Sequence, residues 1–111
     1  MDKKVEFKRE CIITRVAKSV YLNADTIVHI GPCVVTGWTY GSSGGDRYCR
    51  IYDGQNTNGE LKWDLYTDDK VTITKNLTYP VDFDKGIYVN VESDNCHLTI
   101  EFIAESWKSY W

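Results

Sequence analysis

The sequence predicts an all-β protein, an antiparallel β-sandwich or jelly roll of about eight or nine strands. Apolar and polar residues alternate in several short segments, and a period of two is required of a half-buried strand because successive side chains point to opposite faces. Turn residues recur about every ten residues, which is typical of a sandwich. No segment shows helical periodicity over ten residues.

The clearest element is a hairpin with arms at 47–53 and 60–66, joined by the polar loop 54–59. Glycines at both ends of the loop supply backbone angles that other residues avoid. Because an isolated hairpin is only marginally stable in water, its apolar face must pack against further strands. In the second arm that face is predicted to carry Leu61, Trp63 and Leu65.

The other predicted strands follow from similar patterns. Pro32 ends one of them because proline donates no backbone hydrogen bond, and a segment containing Pro80 is predicted to lie at a sheet edge. Gly37 inside a strand indicates a bulge or a close backbone approach. The last two strands are predicted to form a second hairpin. In chain order these strands are 11–16, 19–22, 26–30, 33–40, 71–74, 87–91 and 96–103, and the edge segment is 79–83.

Length and composition indicate one domain with a substantial core, since the chain has 111 residues of which 42% are hydrophobic. A net charge of -3 argues against general affinity for nucleic acid or an anionic membrane. No apolar run approaches the roughly 20 residues of a membrane helix. The polar start predicts no signal peptide, so we expect synthesis in a cytoplasm.

The four cysteines, Cys11, Cys33, Cys49 and Cys96, lie far apart and in no zinc-binding spacing. Two disulfides are the alternative for a secreted module. In the absence of a secretory signal we expect reduced, buried thiols that pack as small apolar residues. The sequence indicates no metal and no cofactor.

Three segments are predicted: a charged N-terminal arm at 1–10, the β-sandwich at 11–104, and an aromatic tail at 105–111. The tail holds Trp107, Tyr110 and Trp111. Tryptophan and tyrosine often anchor protein interfaces, and leaving them in water is unfavourable. The tail is therefore predicted to dock on another subunit or to pack back on its own sheet.

No group of residues specifies a catalytic reaction, so we expect a protein that is not an enzyme. His29 and His97 lie in strands, where a satisfied or solvent-facing imidazole is common. Ser42 and Ser43 lack the context of a nucleophile. A carboxylate pair facing a groove is the remaining option for catalysis. The carboxylates considered are Asp53, Asp64, Asp68, Asp69, Asp82 and Asp84.

Trp38 and Tyr40 are predicted to share one face of a strand. If both rings are exposed, they form a platform on which sugar rings can stack, and this platform is one candidate binding site. The alternative is that Trp38 belongs to the core.

From residue 34 to residue 103 the chain resembles small virion proteins of tailed bacteriophages. The shared pattern runs from a strand ending in glycine, through a glycine-rich loop and an Ile-Tyr-Asp strand, to a final Leu-Thr-Ile strand. The matching segments are Val34-Val35-Thr36-Gly37, Gly41 to Gly45, Ile51-Tyr52-Asp53-Gly54, Asn58-Gly59, Pro80-Val81-Asp82-Phe83, Lys85-Gly86-Ile87-Tyr88-Val89 and Leu98-Thr99-Ile100.

In size and β-only character the chain also looks like the jelly-roll capsid decoration proteins, called staple or cement proteins, of the Salmonella phage epsilon fifteen type. The resemblance implies a homodimer on the outside of a virion that clamps major capsid protein subunits together. The four cysteines and the aromatic tail depart from the family pattern.

Two other binding functions remain open. A carbohydrate-binding virion module for host recognition would use Trp38 and Tyr40. A secreted, disulfide-bonded module resembling CUB domains is suggested by Tyr52-Asp53-Gly54 and the four cysteines, although the cysteine spacing fits that family poorly.

Overall fold

The structure, a computed structural model, describes the backbone of residues 11–109 and the side chains of residues 17–104. This part of the chain contains eight strands, and none of it forms a helix long and apolar enough to cross a membrane. The strands are β1 (Cys11–Leu22), β2 (Thr26–Ile30), β3 (Cys33–Ser42), β4 (Arg47–Asp53), β5 (Glu60–Thr67), β6 (Thr72–Phe83), β7 (Gly86–Val91) and β8 (Cys96–Ser109).

The strands form two four-stranded sheets, sheet A in the order β1-β8-β3-β6 and sheet B in the order β2-β7-β4-β5. All of the pairings are antiparallel. Only β4 and β5 are consecutive strands of one sheet, and every other connection crosses to the opposite sheet. This is the jelly-roll form of a β-sandwich, so the predicted fold is confirmed.

The first predicted hairpin is confirmed, but the second is wrong. The strand at 87–91 is β7, which pairs with β2 and β4 in sheet B, whereas β8 pairs with β1 and β3 in sheet A. Alternation predicts that each strand buries one face but does not say which strand lies beside it. The connection at 92–95 therefore crosses between the sheets instead of closing a hairpin.

Two pairs of predicted segments merge in the structure. The strands 11–16 and 19–22 are both parts of β1, and β6 contains residues 72–74 of one predicted strand together with the edge segment 79–83. β6 is an edge strand, as the position of Pro80 predicted. In its pairing with β3, Asn76 lies opposite Gly37 and Val81 lies opposite Val35. Four residues of β6 therefore stand against one residue of β3, and residues 77–80 bulge from the edge.

The core lies between the sheets, where the inward faces meet. Trp63 of β5 packs between Trp38 of β3 and Phe83 of β6, with ring centroids 4.3 Å and 5.7 Å away. Trp63 is partly buried and Phe83 is fully buried, and fully burying a side chain such as Phe83 contributes about 1.5–3 kcal/mol. The other fully buried side chains are Val35, Cys49, Ile51, Thr67, Ile87, Val89, Cys96, Leu98, Ile100 and Phe102.

Cys33, Cys49 and Cys96 are buried free thiols, as predicted, and the side chain of Cys11 lies outside the described residues. Burial, with a smaller contribution from the nearby Asp53 carboxylate, raises the pKa of the Cys33 thiol to about 12. This thiol is therefore protonated at neutral pH and packs as a small apolar group.

Gly37 marks a bulge, as predicted. The register of β3 shifts between Val35 and Gly37 against both of its neighbours. A Cβ at Gly37 would lie 2.6 Å from the carbonyl oxygen of Lys75, so only glycine fits here without a shift of the backbone. The extra residue changes which alternate side chains of β3 point inward.

Trp38 and Tyr40 point into the core because of this bulge. They lie opposite Ile100 and Leu98 of β8 and are only 5% and 8% exposed. The Tyr40 hydroxyl donates to the carbonyl of Tyr66 at 3.0 Å, which links the two sheets. The structure therefore confirms the alternative in which Trp38 belongs to the core. Neither Trp38 nor Tyr40 has an exposed ring face on which a sugar could stack.

A second bulge moves Leu61 away from its predicted face. The register of β5 shifts between Trp63, opposite Ile51, and Leu61, opposite Tyr52. Trp63 and Leu65 pack against the core, whereas Leu61 is 46% exposed on the outer face. The prediction for Leu61 is therefore wrong, because one extra residue reverses the alternation.

Candidate interaction surfaces

A two-stranded ribbon extends beyond the sandwich. The pairing of β8 with β3 ends at Ala104 opposite Cys33, while the pairing of β8 with β1 continues to Ser109 opposite Cys11. Residues 11–15 and 105–109, called the ribbon from here on, run for about 17 Å. Within the described residues both outer edges of the ribbon are unpaired.

Unpaired edges give the ribbon a specific chemical character. Each edge presents backbone N–H and C=O groups that can pair with another chain. A two-stranded sheet without a packed face is only marginally stable in water. The ribbon edges within the described residues therefore offer backbone groups with which a further strand can pair.

The predicted anchor residues fall in or beyond the ribbon. The backbone of Trp107 lies in β8 opposite Ile13, and the side chains of the ribbon are outside the described part of the chain. Tyr110, Trp111 and the charged arm at 1–10 lie outside the described residues.

Beside the ribbon, a buried carboxylate fastens the connection between β6 and β7. Asp53, at the end of β4, accepts hydrogen bonds from the backbone N–H groups of Asp84 (2.9 Å), Lys85 (2.8 Å) and Gly86 (3.3 Å). Burial alone raises the pKa of this carboxyl, but the three hydrogen bonds, aided by Lys62, hold the pKa below its ordinary value. We call this arrangement the Asp53 clasp.

The clasp lies beneath an open cleft of about 590 Å³. Three connections form its walls, namely the turn after β2, the loop 54–59 and the turn before β7. Its lining includes the polar side chains of Gln55, Asn56, Asn58 and Lys85 beside the apolar Ile30 and three glycines.

The ribbon and the cleft belong to the same end of the sandwich. Cys33, the first residue of β3, pairs with Ala104, where the ribbon begins, and with Phe83, which precedes the turn to β7. We call this end the ribbon end. The far end holds the connections 23–25, 43–46, 68–71 and 92–95.

Polar groups at the far end bind one another. Asp69 accepts a hydrogen bond from the Gly45 N–H (2.5 Å), and its own N–H donates to Asp46 (2.9 Å). The N–H of Ser43 donates to the carbonyl of Asn95 at 2.9 Å. The exception is Nε of Arg47, which is buried without a hydrogen-bond partner among the described residues. The connections at this end are therefore largely cross-linked.

A row of apolar and aromatic side chains crosses the outer face of sheet B. Successive strand pairings place Ile27 beside Tyr88, Tyr88 beside Tyr52, and Tyr52 beside Leu61. A polar row adjoins it, in which Arg50 pairs with Asp64 at 3.3 Å. The first row is a small exposed patch of the kind found in interfaces.

The histidine and Ser42 side chains considered for catalysis have other partners in the structure. The His29 ring packs against Phe102 and the His97 ring against Tyr21. The Ser42 hydroxyl donates to the carbonyl of Gly45 at 2.5 Å. Among the described residues, no group of three or more metal-ligating side chains is close enough to hold an ion.

Sequence reasoning missed the role of Asp53, although a signal for it was present. Asp53 follows Cys49 and Ile51 at a spacing of two, so alternation along β4 places its carboxylate on the buried face. A buried carboxylate needs hydrogen-bond donors, which the turn before β7 supplies.

A search of protein-family models finds none that matches this chain, and a search of curated proteins finds no match either.

Proposed function

We propose that this protein is a non-enzymatic structural protein of a bacteriophage virion. In this role it is a capsid decoration protein that binds the outside of the shell and clamps major capsid protein subunits together. The observation that carries the proposal is the ribbon, which projects from a jelly-roll body and leaves both of its edges unpaired within the described residues.

Attachment through the ribbon follows from its chemistry. A strand of a capsid subunit can pair with either edge, and the pairing supplies both hydrogen bonds and register. Trp107 lies in the ribbon, and Tyr110 and Trp111 follow it in the sequence, so large aromatic groups are available as anchors. Repeated over a lattice, weak contacts add to strong retention.

Two of the motifs that carry the phage resemblance, in β4 and in β7 with the turn before it, form one structural unit. Ile51, Tyr52 and Asp53 pair directly with Val89, Tyr88 and Ile87 of β7. The Asp53 clasp then holds the Lys85-Gly86 turn in front of that strand. These motifs stabilise the body of the sandwich, which supports a rigid structural role.

The protein is also proposed to act as a homodimer. The outer row of sheet B, with Ile27 and Leu61 each nearly half exposed, is a patch that two copies can share about a two-fold axis. Sedimentation velocity tests this part: a Leu61→Asp variant is expected to shift the protein from dimer to monomer. If the unchanged protein sediments as a monomer, the proposed dimer is contradicted.

Binding to shells provides the main test. The full-length protein is mixed with undecorated capsids of the phage that encodes it and sedimented, beside a full-length variant carrying Trp107→Ala, Tyr110→Ala and Trp111→Ala. The matched control is Tyr79→Ala, which removes a ring that is 83% exposed on the bulged edge of β6.

The proposal predicts co-sedimentation of the unchanged protein and of the Tyr79 variant, and loss of at least about tenfold in affinity for the triple variant. If the unchanged protein stays in the supernatant, the decoration role is overturned. If the triple variant binds as well as the unchanged protein, the role stands and the aromatic tail is not the anchor.

A further inference from the structure

We propose that the cleft at the ribbon end binds a saccharide unit that carries a carboxylate group. The inference does not depend on capsid binding, because it rests on the shape, hydrogen-bonding groups and charge of the cleft alone.

The cleft has the size and form of a small-ligand site. Its volume of about 590 Å³ lies within the usual range of about 300–1,000 Å³. Gly31, Gly54 and Gly59 form part of its wall, and a Cβ added at Gly31 would meet nothing within 4 Å. A glycine allows a ligand to approach the backbone closely because it has no side chain. The N–H groups of the three glycines already donate within the protein, so the polar contacts with a ligand fall to the side chains of the cleft.

The side chains around the cleft match sugar hydroxyls. Each hydroxyl of a sugar both donates and accepts hydrogen bonds, and a side-chain amide does the same. Gln55 and Asn58 are exposed, and within the described residues their side chains make no hydrogen bond. Asn56 has a different role, since its Oδ1 accepts the Asn58 N–H at 2.8 Å and fixes the loop.

The charge of the cleft favours an acidic ligand. Lys85 is the charged residue of its lining. The nearest buried carboxylate, Asp53, already accepts three backbone N–H groups and is not directed at a ligand. An ammonium group among neutral amides forms its strongest hydrogen bonds with a carboxylate.

The position of the cleft favours a saccharide over a peptide. An extended peptide binds best along a strand edge, whereas the cleft is built from connections at the strand ends. Ile30 is the apolar residue of the lining, so the cleft offers no deep apolar pocket for a peptide side chain. A single aliphatic side chain suits the C–H face of one sugar ring.

The cleft is held in shape before a ligand arrives. The N–H of Lys85 donates to Asp53 at 2.8 Å, and its carbonyl accepts the Gly31 N–H at 2.9 Å. The backbone of Lys85 is therefore fixed from both sides, and only its side chain has to be ordered by a ligand. Such preorganisation reduces the entropic cost of binding.

The test is a titration of the full-length protein followed by amide NMR shifts, with D-glucuronic acid as the probe and D-glucose as its neutral match. Saturable shifts are expected at 54–59, Gly31 and Lys85, with tighter binding of glucuronic acid. Lys85→Met is expected to weaken glucuronic acid binding about tenfold and to leave glucose binding unchanged. The control is Lys75→Met, an exposed lysine on β6.

Three results would overturn the inference. The first is the absence of saturable shifts at the cleft for either sugar. The second is an equal loss of affinity in the Lys85 and Lys75 variants, which would reflect net charge alone. The third is tighter binding of a tetraglutamate peptide to the same residues, which would make the cleft a site for acidic peptides.

Discussion

At the far end of the sandwich, side chains of one connection bind the backbone of another, whereas at the ribbon end the side chains of Gln55 and Asn58 make no hydrogen bond within the described residues. Asp46 and Asp69 of the far end each accept a backbone N–H from another loop. At the ribbon end, the Asp53 side chain holds the turn before β7 from beneath the surface, and backbone hydrogen bonds from Gly31 to Lys85 and from Gly54 to Gly86 join the connections. Both ends are tied together, and the ribbon end carries the open cleft with the exposed amides of Gln55 and Asn58.

The difference shows how one scaffold divides structural from binding roles. A buried carboxylate that fastens a turn from below frees the side chains above it to meet a ligand. A loop whose polar groups bind its neighbours has fewer left for a partner. We therefore expect substitutions of Asp53 to affect stability, and substitutions in the exposed loop at 54–59 to affect binding.

The largest effect is expected for Asp53→Ala. It leaves three backbone N–H groups without their acceptor in a buried site, and we expect a loss of about 4 kcal/mol in the free energy of unfolding. Chemical denaturation measures it. The matched control is Asp82→Ala, an exposed carboxylate of β6, for which we expect a change within about 0.5 kcal/mol. Equal effects of the two substitutions would contradict the clasp.

The same substitution, glycine to alanine, compares the stability of the two ends: Gly86→Ala tests the ribbon end and Gly44→Ala tests the far end. Gly86 has a φ of 139°, and a Cβ there would collide with the carbonyl oxygen of His29. At Gly44 the nearest atom to such a Cβ is 3.5 Å away, an ordinary contact. Thermal unfolding is expected to show a loss of about 2–3 kcal/mol for Gly86→Ala and almost no change for Gly44→Ala. A reversed order would show that the turn before β7 is not constrained as described.

The pH dependence of stability sharpens the account of the clasp. The pKa of Asp53 is lower in the folded protein than in the unfolded chain. The ionised carboxylate therefore stabilises the folded protein in full at pH values above the unfolded-state pKa of about 3.9. This stabilisation is lost as the pH falls through the lower pKa of the folded state. Denaturation curves between neutral pH and about pH 2 should show a steeper loss for the unchanged protein than for Asp53→Asn. Parallel curves would mean that the Asp53 carboxylate does not contribute in this way.

The smallest effect is expected at the far end, for Asp69→Ala. The carboxylate is exposed and accepts one backbone N–H, so we expect a loss of about 1 kcal/mol. Amide hydrogen exchange should become faster at Gly45 and its neighbours and stay unchanged at 84–86. Faster exchange at both ends would indicate global destabilisation instead of a local link.

The sequence predicted the sandwich because alternation along 47–53 and 87–91 is regular. It also predicted the bulge at Gly37, since a glycine inside a strand usually marks a bulge or a close backbone approach. The direction of Trp38 and Tyr40 could not be read from alternation, because the bulge before them changes which face points inward. The outward position of Leu61 has the same cause.

The partners of each strand were not predictable from alternation, which is why β7 and β8 were assigned to one hairpin. The cleft could not be predicted from the sequence either, because its three connections come together only through the jelly-roll strand order. The burial of Asp53 could have been predicted, because Cys49, Ile51 and Asp53 are alternate residues of β4 and therefore point to the same, buried face.

Amide hydrogen exchange of the protein, free and bound to undecorated shells, tests most directly whether the ribbon end is the attachment end. The account predicts new protection at 11–15 and 105–109, with exchange at 43–46, 68–71 and 92–95 unchanged. Protection confined to those far-end connections, with the ribbon exchanging as in the free protein, would contradict it.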